Sequence, residues 1–343
     1  MIDTIKIYTM INKEVYNKII SSSVVNSKIN KRTGELLYQI NSSSLIGSFS
    51  SSVNIRVGDG QVYGFKDFKY LSIEGSYHKL ICGYNSHNGF YDFLSICKWF
   101  ISAVEYDFNI KLPSFKHWFL NRIDISIVYD LGDNINVCNY INNLRFCRYP
   151  RRNIKHYQDE SIYCSGTTTT LKIYNKMLEF KKHDMKKLFK YNFNINNYLN
   201  EIKGFVRFEC EIKKKKLQDI YEKKYIRIKN VRYDFIKNVW RDEFMKMLNF
   251  FESDLKIVRN KVDIENRLLF LYGNIKGRNL YNFYCSLMVD GVDTVKSNTS
   301  KPTFCRKIYD LKSAGIDCSQ KFEINLKQDN LIDFNPFEWK EVI

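Results

Sequence analysis

The sequence predicts an α+β fold, with an antiparallel sheet in the N-terminal two thirds and a smaller, mainly helical domain after it. Three observations predict this. Short β-branched and aromatic runs, several alternating apolar with polar residues, recur between residues 4 and 213. Stretches with apolar residues at helical spacing interrupt them, and beyond residue 216 the helical spacing dominates.

The elements follow in order. TIKIYTM, ELLYQI, VNIRVG and YLSIEGSYHKLICG read as strands, separated by the Ser-rich stretch NSSSLIGSFSSS and by Gly-containing turns. Residues 90–107 read as a helix, because Phe93, Ile96, Cys97, Phe100 and Val104 share one face. In 120–131, Ile123, Ile125 and Ile127 alternate with Arg122, Asp124 and Ser126, which puts the charged set on one face of a strand. A second helix over 134–145 leads into the basic segment RYPRRNIKHY. The strands SIYCSG and TTLKIYNK follow, then a charged helix from about Met177. Past the Asn-rich linker YNFNINNYLN, the strand GFVRFECEIKKK alternates Arg207, Glu209 and Glu211 with Phe208, Cys210 and Ile212. Residues 233–256 and 263–289 are helical in spacing, and a last short helix over 302–314 ends at Gly315. The expected domains are 1–225 and 226–343, with no internal repeat.

Composition narrows the function. At ~150 residues per domain, 343 residues suggest two domains, and 44% hydrophobic residues argue against a disordered chain. The excess of 54 Lys+Arg over 37 Asp+Glu, a net charge of +17, points to a polyanionic partner. No run approaches the ~18 apolar residues of a membrane span. The start carries Asp3 and Glu14 where a secretory leader would be basic and then apolar, so it reads as the first strand of the mature protein. Nine scattered cysteines without a CxxC pair fit reduced thiols in the cytoplasm better than a disulfide frame or a zinc site.

Three strand-borne acids stand out: Asp124, Glu209 and Glu74. A carboxylate there is costly to bury unless it is paired or bound to metal. They either face solvent, or pair as Asp124 with Arg122 and Glu209 with Arg207, or converge; oxygen-only ligands that converge suit Mg²⁺ or Mn²⁺. The five histidines contain no HxH pair, and His183 shares a helix face with Glu179, as a surface ion pair or as part of a site. Tyr174 ends the strand LKIY just before Asn175 and Lys176, where a strand hands over to a helix. A phenol there can attack a phosphodiester if a metal or cation offsets its pKa of about 10; otherwise it is one of 24 packing tyrosines. The basic runs RYPRR, KKHDMKK and KKKK supply Arg151, Arg152, Lys181, Lys182, Lys213 and Lys214 as DNA-binding candidates, alongside Arg122 and Arg207.

The ordered set MIDTIKI, SIEGSYHKLICGYN, NRIDISI, TLKIYNKMLEFKKH and GFVRFECEIK resembles the gene II/gene X family of rolling-circle replication initiators from filamentous phages and related plasmids. Residues 277–316, from GRNLYNFYCSLMVDGVDTV through FCRKIYDLKSAGI, resemble that family's C-terminal domain. The resemblance implies a nuclease domain that is a divergent, HUH-endonuclease-like fold lacking the HxH pair. It makes Tyr174 the nucleophile and Lys176 its catalytic partner. Asp124 and Glu209 become the main metal ligands, with Glu74 or Glu179 as a third; His183 is offset by one residue from the family histidine, and Glu211 stands where relatives tolerate a small residue. The implied activity is metal-dependent nicking of phage or plasmid origin DNA, double- and single-stranded, leaving a 5′-phosphotyrosine and a free 3′-OH. Host helicase and polymerase then act before the strands are rejoined. The alternative is a non-catalytic origin- or single-strand-binding protein in which Tyr174 stacks on a base. A tyrosine recombinase, of opposite polarity, would need an Arg/His set that the scattered histidines do not supply.

Overall fold

The computed structural model describes residues 1–29, 32, 36–46, 52–65, 68–85, 89–144, 147, 149–157, 160–191, 193–252, 261–290, 292–316, 336–337 and 341–342. Its strands are β1 (Ile2–Ile11), β2 (Val24–Ile29), β3 (Leu36–Ile46), β4 (Ser52–Asp59), β5 (Lys69–Ser76), β6 (Phe119–Asp130), β7 (Ile154–Tyr157), β8 (Ser161–Ser165), β9 (Thr169–Asn175), β10 (Phe205–Lys213) and β11 (Ile226–Arg227). They form one sheet in the order β2, β3, β4, β5, β1, β6, β10, β9, β8, β7, with β11 added on β6, and every described pairing is antiparallel. The helices are α1 (Lys13–Ser21), α2 (Tyr77–Cys82), α3 (Phe93–Asp107), α4 (Asn134–Asn143), α5 (Lys176–His183), α6 (Met185–Leu188), α7 (Ile195–Glu201), α8 (Lys214–Tyr221), α9 (Tyr233–Glu252), α10 (Lys261–Asp290, broken by a kink at Gly273, φ 73°), α11 (Val292–Ser297) and α12 (Lys301–Ser313). None of the described helices is long and apolar enough to cross a membrane.

The chain divides into two compact units, Met1–Met247 with Ile332–Ile343, and Leu248–Leu331. In the first, the central strands are covered on both sides. Phe208, on the apolar face of β10, packs against Trp240 and Phe244 of α9 and Tyr140 of α4, and the Trp240 indole donates to the Phe208 carbonyl at 3.2 Å. The opposite face carries the charged residues. At one end Val128 and Phe205 lie under Phe180, Leu188, Tyr198 and Ile202 from the α5–α7 segment. The expected break after residue 225 therefore falls ahead of a helix whose aromatics belong to this sheet. In the second unit, α10, α11 and α12 bury Leu268, Leu280, Phe283, Leu287, Val295 and Leu311 together.

Local capping explains where structure and expectation differ. Residues 77–82, expected to prolong β5, turn into α2 because the Ser76 hydroxyl accepts from the Lys79 amide and Gly83, at φ 79°, ends the turn. The Asn-rich linker contains α7, capped by Asn194 accepting from the Asn197 amide at 3.1 Å. Residues 41–46 of the Ser-rich separator lie in β3, paired with β4. Arg145 and Arg148, residues 253–256, His87 and Cys318 lie outside the described residues. The eight described cysteines are free thiols.

Candidate active site

Neighbouring strands assemble one charged face. β10 pairs with β6 so that Glu211 lies opposite Asp124, and with β9 so that Glu209 lies opposite Lys172 and Arg207 opposite Tyr174. Because strand side chains alternate, Asp124, Arg207, Glu209, Lys172 and Tyr174 share that face. β1 adds Asp3. Ile2 pairs with Ile125 but Ile5 pairs with Ile123, and this one-residue shift, a bulge, sets Asp3 beside Asp124.

One carboxylate oxygen from each of Asp3, Asp124 and Glu209 lies within 4.8 Å of the others, and all three residues are buried. They line a cleft of about 550 Å³ whose walls include Lys79, Asn85, Tyr163, Glu179 and Lys182. The Tyr174 side chain lines the same cleft, and its hydroxyl donates to Glu209 Oε2 at 3.1 Å.

Each acid has a cationic neighbour. Arg207 Nη2 lies 3.2 Å from Asp3 Oδ1, Arg122 forks onto Asp124 with Nε at 2.8 Å and Nη2 at 2.5 Å, and Lys172 Nζ lies 2.6 Å from Glu209 Oε1. Compensation at Asp124 is incomplete. Burial pushes its carboxyl up, the Arg122 fork pulls it down, and the Glu209 and Asp3 charges push it up again, leaving it above the ordinary carboxylate range. Burial also raises the Tyr174 phenol, with Arg207 opposing and Glu209 reinforcing, so the resting hydroxyl is a neutral donor. A buried cluster of three carboxylates, oxygen-only in its donors, has the donor chemistry of a hard divalent cation site.

The other expected residues are placed as follows. Glu74 faces Lys6 at 2.8 Å and Arg122 at 3.2 Å, outside the three-acid cluster. Glu179 binds the fully buried Lys176 ammonium at 2.7 Å; burial lowers the Lys176 pKa and Glu179 opposes it, while at Glu179 burial pushes the pKa up and the Lys176, Arg207 and Lys79 charges together bring it below the ordinary value. His183 is exposed and lines the cleft rim. Arg207 is fully buried beneath the site, whereas Arg122 keeps a quarter of its side chain exposed. Lys181 and Lys182 are exposed on α5, and Arg151 is exposed at a left-handed φ of 61°. Arg152 turns inward to Thr169 and Glu243, Lys213 donates to the Gly166 carbonyl, and Lys214 lies over the Tyr63 ring. Sequence reasoning missed Asp3 and Lys172 as site residues. The available signal was that Ile2, Ile5 and Ile7 cannot share one strand face without a bulge.

A family model described as the N-terminal part of the replication-associated gene II protein matches residues 1–234. No curated protein and no solved structure matches the chain. The matched span covers more than half of the sequence and holds the acids, Tyr174 and the strands that carry them. The chain therefore belongs to the family of gene II-type rolling-circle replication initiators.

Proposed function

We propose that this initiator is a metal-dependent, origin-specific DNA nickase and strand transferase with Tyr174 as nucleophile. One observation carries the reading: a tyrosine hydroxyl 3.1 Å from a carboxylate of a buried three-acid cluster, on the wall of a cleft of about 550 Å³. Asp3, Asp124 and Glu209 would hold Mg²⁺ or Mn²⁺, which supplies Lewis-acid polarisation of the scissile phosphate. Glu74 and Glu179, each tied to a cation of its own, support the neighbouring basic side chains instead.

The chain's residues account for the rest. Glu209 Oε2 accepts the phenol's hydrogen bond and is placed to draw off its proton as the oxygen attacks. Lys172 fixes Glu209 Oε1, and Arg207 lies 6.0 Å from the Tyr174 ring centre, where its charge favours the developing phenolate. The phenolic oxygen bonds to phosphorus, the bond to the 3′-oxygen breaks, and that oxygen takes up a proton from solvent to leave as a free 3′-OH opposite a 5′-phosphotyrosine, Glu209 keeping the proton of the phenol. Because one phosphodiester replaces another, the reverse attack rejoins strands after host helicase and polymerase have acted. The sheet is in this reading a divergent HUH-endonuclease-like fold in which carboxylates replace the HxH pair.

The test is incubation with Mn²⁺ or Mg²⁺ and single-stranded oligonucleotides drawn from the replicon, followed by denaturing electrophoresis. A DNA-linked protein band that disappears in Tyr174→Phe is expected. Full nicking by that variant would overturn the nucleophile, and metal-independent binding without any adduct would favour a non-catalytic DNA-binding protein.

A further inference from the structure

We infer that the second unit is a helix-turn-helix reader of duplex DNA, with α12 as the helix that enters the major groove. The inference stands on this unit alone and shares with the proposed function only DNA as the substrate. α11 and α12 are separated by the three residues 298–300, the connection length of that motif. Val295 from α11 and Phe304, Ile308 and Leu311 from α12 pack with Leu280, Phe283 and Leu287 of α10, so the pair is fixed on a third helix.

On α12, that packing leaves three cations and no acid outside. On α12 the exposed positions are Lys301, Pro302, Cys305, Arg306, Tyr309 and Lys312, a stripe at helical spacing with no acid in it. The helix's acid, Asp310, is turned away to Lys276 at 2.9 Å. Lys307 lies across the surface toward α10, donating to Asn279 Oδ1 at 2.8 Å and lying 5.0 Å from the Phe283 ring centre. Lys296 and Asn298, exposed at the end of α11 and in the turn, sit where the motif's first helix meets the backbone.

The occupant follows from charge and shape. Thirteen residues at 1.5 Å rise make a rod about 20 Å long, the form that a major groove about 12 Å wide admits. A single strand would require a stacking platform, and Tyr309, 68% exposed, is the one aromatic on the stripe.

The experiment compares the full-length protein with the K301A/R306A/K312A variant by fluorescence anisotropy, using a mixed-sequence duplex and the matching single strand across a salt series. Three lost phosphate contacts should reduce the duplex log–log salt slope by about 2 to 3 and weaken duplex binding at about 0.1 M salt roughly a hundredfold. Single-strand binding should change far less, and the melting temperature should hold because the replaced side chains are exposed. An unchanged duplex slope, or equal losses on duplex and single strand, overturns the inference. Nicking of a single-stranded oligonucleotide is measured alongside: if the wild type does not nick, the active-site reading fails while the duplex result still decides this one. Loss of that nicking only in the variant would assign α12 to the cleft and overturn the inference.

Discussion

Glu243→Gln is the sharpest probe of how α9 is joined to the initiator sheet, because this residue lies beyond the family-matched span and yet is 2% exposed. Its carboxylate accepts from the Thr169 hydroxyl at 2.6 Å and the Tyr149 hydroxyl at 2.8 Å, with Lys216 at 3.0 Å, Lys246 at 3.2 Å and Arg152 at 3.5 Å. Burial alone would raise its pKa. The Thr169, Lys216 and Tyr149 hydrogen bonds outweigh it and hold the group at about 2, against an ordinary 4.5. That difference converts to about 3 kcal/mol, and since Lys246 reaches solvent, about 2–3 kcal/mol is the expected loss in the Gln variant.

The pH dependence carries a definite sign. A carboxyl whose folded pKa is depressed contributes stability that is present above about pH 4.5 and is lost as pH falls through about 2. Urea titrations followed by the fluorescence of Trp240, three residues earlier on α9, should show a gap of about 2–3 kcal/mol at pH 7 that shrinks by about half at pH 3. The melting temperature at neutral pH should fall by about 5–10 °C. A neutral-pH gap under about 1 kcal/mol, or one that persists undiminished at pH 3, would refute the reasoning.

Three further outcomes are expected. Mn²⁺ or Mg²⁺ should raise the melting temperature of the wild type, by about 2.7 kcal/mol of stability at a hundred times Kd, and Asp3→Asn should abolish the shift; no shift in the wild type would sink the three-acid cluster as a metal site. Ending the chain at residue 234 removes Trp240 and Phe244 from the back of Phe208, at about 3–5 kcal/mol each, so calorimetry should find no cooperative transition; a sharp melt would show the matched span to be self-sufficient. Glu179→Gln strands the fully buried Lys176 ammonium and should cost about 3 kcal/mol, while K176M/E179Q should recover most of that in chemical denaturation, and nicking with it. Stability regained without nicking would show that the pair does more than support the fold.

Much of the site was legible in local sequence. The alternation in NRIDISI and VRFECE puts Asp124 and Glu209 on strand faces, and the strand-to-helix handover makes Tyr174 one candidate among 24 tyrosines, which only the resemblance to the initiator family turns into a nucleophile. What local sequence does not contain is register across strands distant in the chain. Asp124 does pair with Arg122, one of the open alternatives, but Glu209 takes Lys172, because β9 lies against β10 in the register that sets those two opposite each other. Arg207 is left to Asp3.

Asp3 shows why the third acid escaped notice. In MIDTIKI it reads as a lone polar residue near a chain start, and only the bulge between Ile2 and Ile5 brings it level with Asp124. The two arginines make a related point about exposure. Arg122 and Arg207 belong to the same charged face by alternation, yet one is a quarter exposed and the other wholly enclosed. The difference comes from neither strand. Helices from residues 176–202 cover the Val128 and Phe205 end of the face and leave Arg122 nearer the opening. Strand period therefore assigns a side chain to a face, while the tertiary cover over that face decides whether a cation there can meet DNA or instead steadies the groups beneath it. Arg207, enclosed beside Asp3 and Tyr174, acts on a bound strand through the side chains that surround it.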